Sequence, residues 1–249
     1  MQKLSTTTAG DGDPPLVLIH GWTCDHRAMA PVAAAFPDHR STLVDLLGHG
    51  RSPKASAYSI EAQAAAVLAV APERAVYIGH SMGAQVAIAA AVAAPGRVSA
   101  IVLLDPAFIA PHEKALAFGE GMRAQLARVD IPAMIELFGR NQIVSASDPA
   151  AVEEIIGVMK ANDPAVTRTA WDAILDWDGR AAIAAVGCPV LLIAIDKPLN
   201  RPADVARLNP RIVTGQVAIS GHMLQFEVMD QVAAMIRRFL QINISVIAG

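Results

Sequence analysis

Six short runs rich in valine, isoleucine and leucine recur along the chain, at Leu16–His20, Ser41–Asp45, Ala75–Ile78, Ser99–Leu104, Pro189–Ile195 and Gln216–Ser220. None alternates polar with apolar residues, so each has to bury both of its faces. Strands of that kind belong to parallel sheets covered by helices on both sides. Helical patterns lie between them, at Ser59–Val70, Gly83–Ala94 and Asp230–Leu240. Strand–helix–strand units cross over with one hand. The alternation therefore predicts a doubly wound α/β domain with a mostly parallel sheet of about seven strands. A further short strand falls within Gln2–Thr8.

The alternation breaks once. Between Asp105-Pro106 and Cys188 there is no strand-like run, and helical stretches fill the gap: Glu113–Val129, Pro132–Gly139, Pro149–Ala161 and Pro164–Trp177. Asp148-Pro149 and Asp163-Pro164 each read as an N-cap followed by proline at the first helical position, where a missing N–H loses no helical bond. Because the sheet pattern then resumes, residues 108–185 are expected to form a helical cap. It is inserted into one core domain built from residues 1–107 and 186–249.

Composition narrows the class. The chain is 53% hydrophobic, yet 48 of its 249 residues are alanine and only 4% are aromatic. With 20 basic and 23 acidic residues it carries a net charge of −3, without the basic footprint that nucleic acid or anionic membranes require. The uncharged stretch Ala75–Gly96 is long enough to mimic a membrane span. Its centre, however, divides a β-rich half from an alanine-rich half, which fits a strand, a turn and a helix. The opening MQKLSTTTAGDGDPP has no apolar run, so neither signal peptide nor anchor is expected. Two cysteines, Cys24 and Cys188, are too few for a disulfide framework and read as reduced thiols. Together these features predict a cytoplasmic protein with no nucleic-acid or membrane partner. They leave open its oligomeric state and the role of the apolar tail Ile242–Gly249.

The dividing segment, Gly79-His80-Ser81-Met82-Gly83, fits G-x-S-x-G. A sharp strand-to-helix turn there forces the serine backbone into strain, and flanking glycines remove side chains that would clash. The hydroxyl then stands at the sheet's C-terminal edge and at a helix N-terminus, where free N–H groups favour an anion. With His20-Gly21-Trp22, the segment Asp45-x-x-Gly48-x-Gly50-x-Ser52 and Gly221-His222, in that order and spacing, the chain resembles the α/β-hydrolase superfamily. Within it, the small capped serine esterases are the nearer likeness. The resemblance spans nearly the whole chain and is far more specific for fold than for substrate.

The resemblance implies Ser81 as nucleophile and His222 as the base that takes its proton. In such enzymes the order along the chain is Ser, acid, His. Asp196, at the end of Pro189–Ile195 and 26 residues before His222, is the expected acid. Relatives usually turn here through a glycine, whereas Ala194-Ile195-Asp196-Lys197-Pro198 is one residue short, so Asp105 is the alternative. The implied oxyanion hole consists of the backbone N–H groups of Trp22 and Met82. Trp22, Met122, Phe138 and Trp171 are expected to line the substrate pocket. Among the other histidines, His20 and His49 should hold loops by hydrogen bonds, and His80 should point away from the nucleophile. His26, His39 and His112 read as surface residues. Asp45 and Ser52 should stabilise the loop near the site, and Arg123, Arg128, Arg140 and Arg168 should form a solvated cap face. No zinc-ligand spacing or phosphate loop occurs, so neither metal nor cofactor is expected.

The expected function is hydrolysis of a small to medium apolar carboxylic ester or lactone through an acyl-enzyme. Carbon–carbon bond hydrolysis or cofactor-free perhydrolysis would use the same residues. A ligand-binding protein without catalysis is the alternative from a different class.

Overall fold

Strand β2 (Leu16–Ile19) shows why its four residues are all apolar. Val17 and Ile19 pack into one core and Leu16 and Leu18 into the other, on opposite faces of the same sheet. The same division runs through β4 (Ala75–His80), where Tyr77 faces one side and Val76 and Ile78 the other. The computed structural model describes residues 3–145, 148–243 and 245. With β1 (Thr6–Ala9), β3 (Ser41–Val44), β5 (Val98–Leu104), β6 (Val190–Ala194) and β7 (Ile212–Gln216), these strands form a seven-stranded sheet in the order β1-β3-β2-β4-β5-β6-β7. Only β1 runs antiparallel.

Helices α2 (Ile60–Val70) and α3 (Met82–Ala93) cover one face of the sheet, and α1 (Ala30–Ala35) and α11 (Met229–Ile242) cover the other. From Met82 to Ala91 every residue of α3 is buried. Its alanines let it lie close to the sheet and to α2 at once, which accounts for the alanine-rich composition of this stretch.

Five helices interrupt the doubly wound pattern between β5 and β6: α4 (Glu113–Leu126), α5 (Ile131–Asn141), α6 (Pro149–Ala161), α7 (Pro164–Asp176) and α8 (Gly179–Ala185). Aspartate side chains at 130, 148, 163 and 178 accept N–H groups at the starts of the last four. The imidazole of His112 does the same for α4, accepting from the Ala115 N–H at 3.1 Å. Two short helices, α9 (Pro202–Ala206) and α10 (Leu224–Glu227), flank β7.

One strand lies elsewhere than the apolar runs predict. The last strand is Ile212–Gln216, not Gln216–Ser220. It is the sheet edge and only Ile212 is buried, so it does not need a two-faced apolar run. The apolar stretch after it is a loop, in which Val217 is buried and Ile219 is 73% exposed. Both cysteines are free thiols, and among the described residues no helix is long and apolar enough to cross a membrane. The tail Ile242–Gly249 lies largely outside the described residues.

Candidate active site

Ser81 follows β4 and precedes α3 with φ 54° and ψ −116°, a conformation that residues with side chains rarely adopt. Two glycines permit it. A Cβ on Gly79 would meet the Gly83 carbonyl oxygen at 2.2 Å, and one on Gly83 would meet that of Ile19 at 2.3 Å. The Ser81 N–H donates to the Leu104 carbonyl at 3.0 Å and the Ser81 carbonyl accepts from Ala107 at 3.2 Å. These two bonds fix the elbow against the end of β5. Met82 opens α3, so its N–H has no acceptor within the helix. The loop after β2 crosses directly over the elbow, since a Cβ on Gly21 would lie 3.2 Å from that of Ser81.

His222 lies beyond β7, and its Nδ1–H donates to Asp105 Oδ2 at 2.6 Å, with both side chains largely buried. The carboxylate selects the tautomer that leaves Nε2 free to accept a proton. This overturns the expectation that Asp196 partners His222. The Asp196 side chain is exposed, and its Oδ1 accepts from Gln216 Nε2 at 3.3 Å. The turn after β6 sends Asp196 to solvent while Ile195 and Lys197 line the cavity. Asp105 instead leaves β5, the strand paired directly with β4, which leads into Ser81, in register with it up to His80–Leu104. A positive φ of 37° at Asp105 turns the chain there.

Asn200, which no motif marks, holds the chain just beyond Asp105. Its Oδ1 accepts from the N–H groups of Ile109 and Ala110, both at 2.8 Å. Its Nδ2 donates to the carbonyls of Pro106 and Ala107 at 2.7 and 2.9 Å. All four of its hydrogen-bonding positions are used, and the residue is buried.

His80 does not turn its back on the site. Its Nε2–H donates to the His222 carbonyl at 2.8 Å, and the two ring centroids lie 4.7 Å apart. Burial, with the neighbouring His222, holds its pKa well below the ordinary imidazole range, so the ring stays neutral. His20 is likewise lowered by burial; its Nε2 accepts from the Leu46 N–H at 3.0 Å. Burial pushes His49 down to about 3, and its Nδ1–H donates to the Leu47 carbonyl at 3.0 Å. Asp45 accepts from the His26 N–H at 2.9 Å, from the Arg51 N–H at 3.1 Å and from His26 Nδ1 at 2.7 Å. Burial raises its carboxyl, but these bonds outweigh that and hold it below the usual range. Ser52 Oγ donates to the Asp45 carbonyl. His26 is therefore part of this loop lock rather than a free surface residue. His112 caps α4, and His39 donates to the Pro14 carbonyl at 2.9 Å. Asp25, His26 and Asp45 bring three possible metal-ligand atoms within 4.8 Å of one another. Arg27 already occupies Asp25 at 2.7 Å, and His26 and Arg51 occupy Asp45, so a loop lock explains the cluster.

A cavity of about 220 Å3 adjoins Ser81 and His222. Trp22, Phe138 and Trp171 line it, together with Phe108, Phe118, Met159 and Ile174. The Trp22 ring lies 4.6 Å from Trp171 and 5.6 Å from Phe138, and its Nε1–H donates to the Thr167 carbonyl at 2.9 Å. Trp22 thus joins the core loop to the cap. Met122 is not in the lining; it is buried within the packing of α4. Cys24 also lines the cavity, but burial pushes its thiol up to about 12, which keeps it protonated and weakly nucleophilic. On the cap surface, Arg123 pairs with Asp172 and Asp176 at 2.9 and 2.6 Å. Arg140 pairs with Glu136 and Glu153 at 3.1 and 2.5 Å, and Arg168 donates to the Leu126 carbonyl at 2.8 Å.

Residues 16–235 match the model of the alpha/beta hydrolase family. Among curated relatives, the chain is 31% identical over 205 residues to a pimeloyl–acyl-carrier protein methyl ester esterase of Edwardsiella ictaluri, covering 77% of this chain and 78% of that one. The enzyme of the same name from Serratia marcescens is 39% identical over 115 residues, a match spanning just under half of each chain, 45%. Among solved structures, a thermophilic esterase from Thermogutta terrifontis superposes with a TM-score of 0.82 at 21% identity, over 96% of this chain and 93% of that one. A strained serine elbow, a histidine joined to a buried aspartate and a helical insertion over the same sheet edge agree with the family match, and the chain belongs to the alpha/beta hydrolase family.

Proposed function

We propose that this protein is a serine hydrolase that cleaves a carboxylic ester through an acyl-enzyme. One observation carries the reading. The His222–Asp105 pair, 2.6 Å apart, opens onto the same apolar cavity as a serine held at a positive φ of 54°. His222 takes the Ser81 proton as Oγ attacks the ester carbonyl, and Asp105 stabilises the imidazolium that forms. The N–H groups of Trp22 and Met82 receive the oxyanion. His222 then returns the proton to the leaving alkoxide, and water, activated by the same imidazole, releases the acid.

The cavity walls are aromatic and aliphatic, which suits an apolar acyl chain. Each methylene buried contributes about 0.8 kcal/mol, so kcat/KM should rise about fourfold per carbon until the cavity is full. A series of p-nitrophenyl esters of increasing chain length, run beside a fluorophosphonate probe with Ser81→Ala as control, tests the reading. Labelling at Ser81 without ester turnover points to carbon–carbon hydrolysis or perhydrolysis. Absence of both points to ligand binding alone.

The named relatives act on an ester borne by an acyl-carrier protein, and that is the second reading. The cap counts against it as the first. Residues 108–185 hold seven basic and eleven acidic side chains, and Arg123 and Arg140 are committed to ion pairs within the cap. Seven basic minus eleven acidic residues leave the cap a formal charge of −4, which opposes a negatively charged carrier, so a free small-molecule ester is placed first. Comparing kcat/KM for one methyl ester, free and carrier-borne, decides between them.

A further inference from the structure

We infer that Glu227 is a positioning residue, tying the seating of the helical cap to the orientation of the base. The inference rests on the reading of Ser81 and His222 given above. Glu227 ends the short helix α10, five residues after His222. Its Oε1 accepts from the Gly221 N–H at 3.0 Å, directly before the histidine. Its Oε2 accepts from two cap N–H groups, those of Val144 at 2.7 Å and Ser145 at 2.8 Å. One carboxylate thus bridges the histidine loop and the segment that follows α5. Among the described residues no lysine or arginine pairs with it, and its partners there are backbone N–H groups.

Two further contacts close the same seam. The His222 N–H donates to the Gln142 carbonyl at 2.7 Å. A Cβ on Gly221 would meet that carbonyl oxygen at 2.2 Å. The glycine before the histidine is therefore required by the approach of the cap, not only by a turn. On its opposite side the histidine backbone is held by the core, through the bond from His80 to the His222 carbonyl. The base is gripped between cap and elbow, and Asp105 sets the ring orientation. If the cap segment lifts, the loop loses the partner of its own N–H, and Glu227 loses the two cap N–H groups that hold its carboxylate in place against Gly221. Bonds to a charged acceptor are roughly twice as strong as neutral ones, so Glu227 is the larger part of that brace.

The test uses the full chain with p-nitrophenyl acetate, whose acyl group is too short to depend on the cap walls. Glu227→Ala should lower kcat by about 10- to 100-fold, the scale of a catalytic group displaced by up to about 1 Å, while KM changes little. Fluorophosphonate labelling of Ser81 should slow by the same factor. The downfield proton resonance of the His222 Nδ1–H should broaden or vanish. Glu227→Gln keeps one amide oxygen and should retain part of the rate, which also provides a readout if the alanine variant folds poorly. A lower Tm with unchanged kcat, unchanged labelling and an intact downfield resonance would overturn the inference and leave Glu227 a structural brace. If the unmodified protein neither turns over esters nor reacts with the probe, the hydrolase reading fails instead, and the resonance still reports whether Glu227 orients His222.

Discussion

Replacing Asp105 by asparagine separates the two candidate acids. Asp105 is 2% exposed and its Oδ2 lies 2.6 Å from His222 Nδ1. With charge centres about 4 Å apart and an effective dielectric of about 20, its attraction for the imidazolium formed during attack is about 4 kcal/mol. Removing that charge alone corresponds to a rate loss of about 10³-fold. Asparagine also ceases to select the tautomer that leaves Nε2 basic, and a triad aspartate-to-asparagine change in a serine protease lowers kcat by about 10⁴. The fold should survive, because Asp105 sits at φ 37° and asparagine is among the residues that tolerate the left-handed region. Asp196→Asn is the matched control. That carboxylate is exposed and accepts one bond of 3.3 Å, so stability should move by no more than about 0.5 kcal/mol and turnover should hold. Steady-state hydrolysis of a p-nitrophenyl ester, with Tm for each variant, reads both effects. Near-parental kcat in Asp105→Asn, or loss of activity in Asp196→Asn, would refute the reasoning.

Ser81→Ala and His222→Ala should each lower kcat by orders of magnitude, and the double variant should be little worse than either, because in the proposed mechanism the pair acts as a unit. Additive losses in a kinetic cycle would contradict this. Stability should fall on acidification. The unfolded chain protonates its histidines near the ordinary imidazole value of about 6.5, whereas buried His49, at about 3, and buried His80, well below that value, remain neutral when folded. The unfolded state therefore binds more protons below that pH. Their joint contribution, fully present above the unfolded pKa, should shrink by between about 2 and 3 kcal/mol by about pH 5.5. Urea unfolding at several pH values measures it, and a midpoint that does not move would contradict it. Gly83→Ala places a Cβ 2.3 Å from one backbone oxygen and 2.6 Å from another, those of Ile19 and His20, so it should displace the elbow. Activity should collapse together with Tm, and an active, equally stable variant would show that the elbow can give way.

Much of the architecture was legible because burial of both faces of a strand leaves a local signature. The parallel strands starting at Leu16, Ser41, Ala75, Val98 and Val190 coincide, to within two residues at either end, with apolar runs that never alternate. The cap showed itself as the stretch where those runs stop, and Asp148 and Asp163 announced two of its helices by capping chemistry. Ser81 stood out because a strained turn requires glycine at fixed offsets, and Gly221-His222 through the family resemblance; that the approach of the cap also requires Gly221 only the structure reveals. What escaped was whatever depends on partners distant in sequence. An exposed edge strand has no need of an apolar run, so β7 was displaced by several residues. The choice between Asp105 and Asp196 turned on which loop end points inward across a span of 117 residues, and the turn after β6 aims the Asp196 carboxylate at solvent without altering any motif. His80, Asn200 and Glu227 act through bonds to backbone atoms of other segments. A backbone N–H or carbonyl exists at almost every position and leaves no trace in residue identity, so only the folded chain reveals which ones these side chains hold.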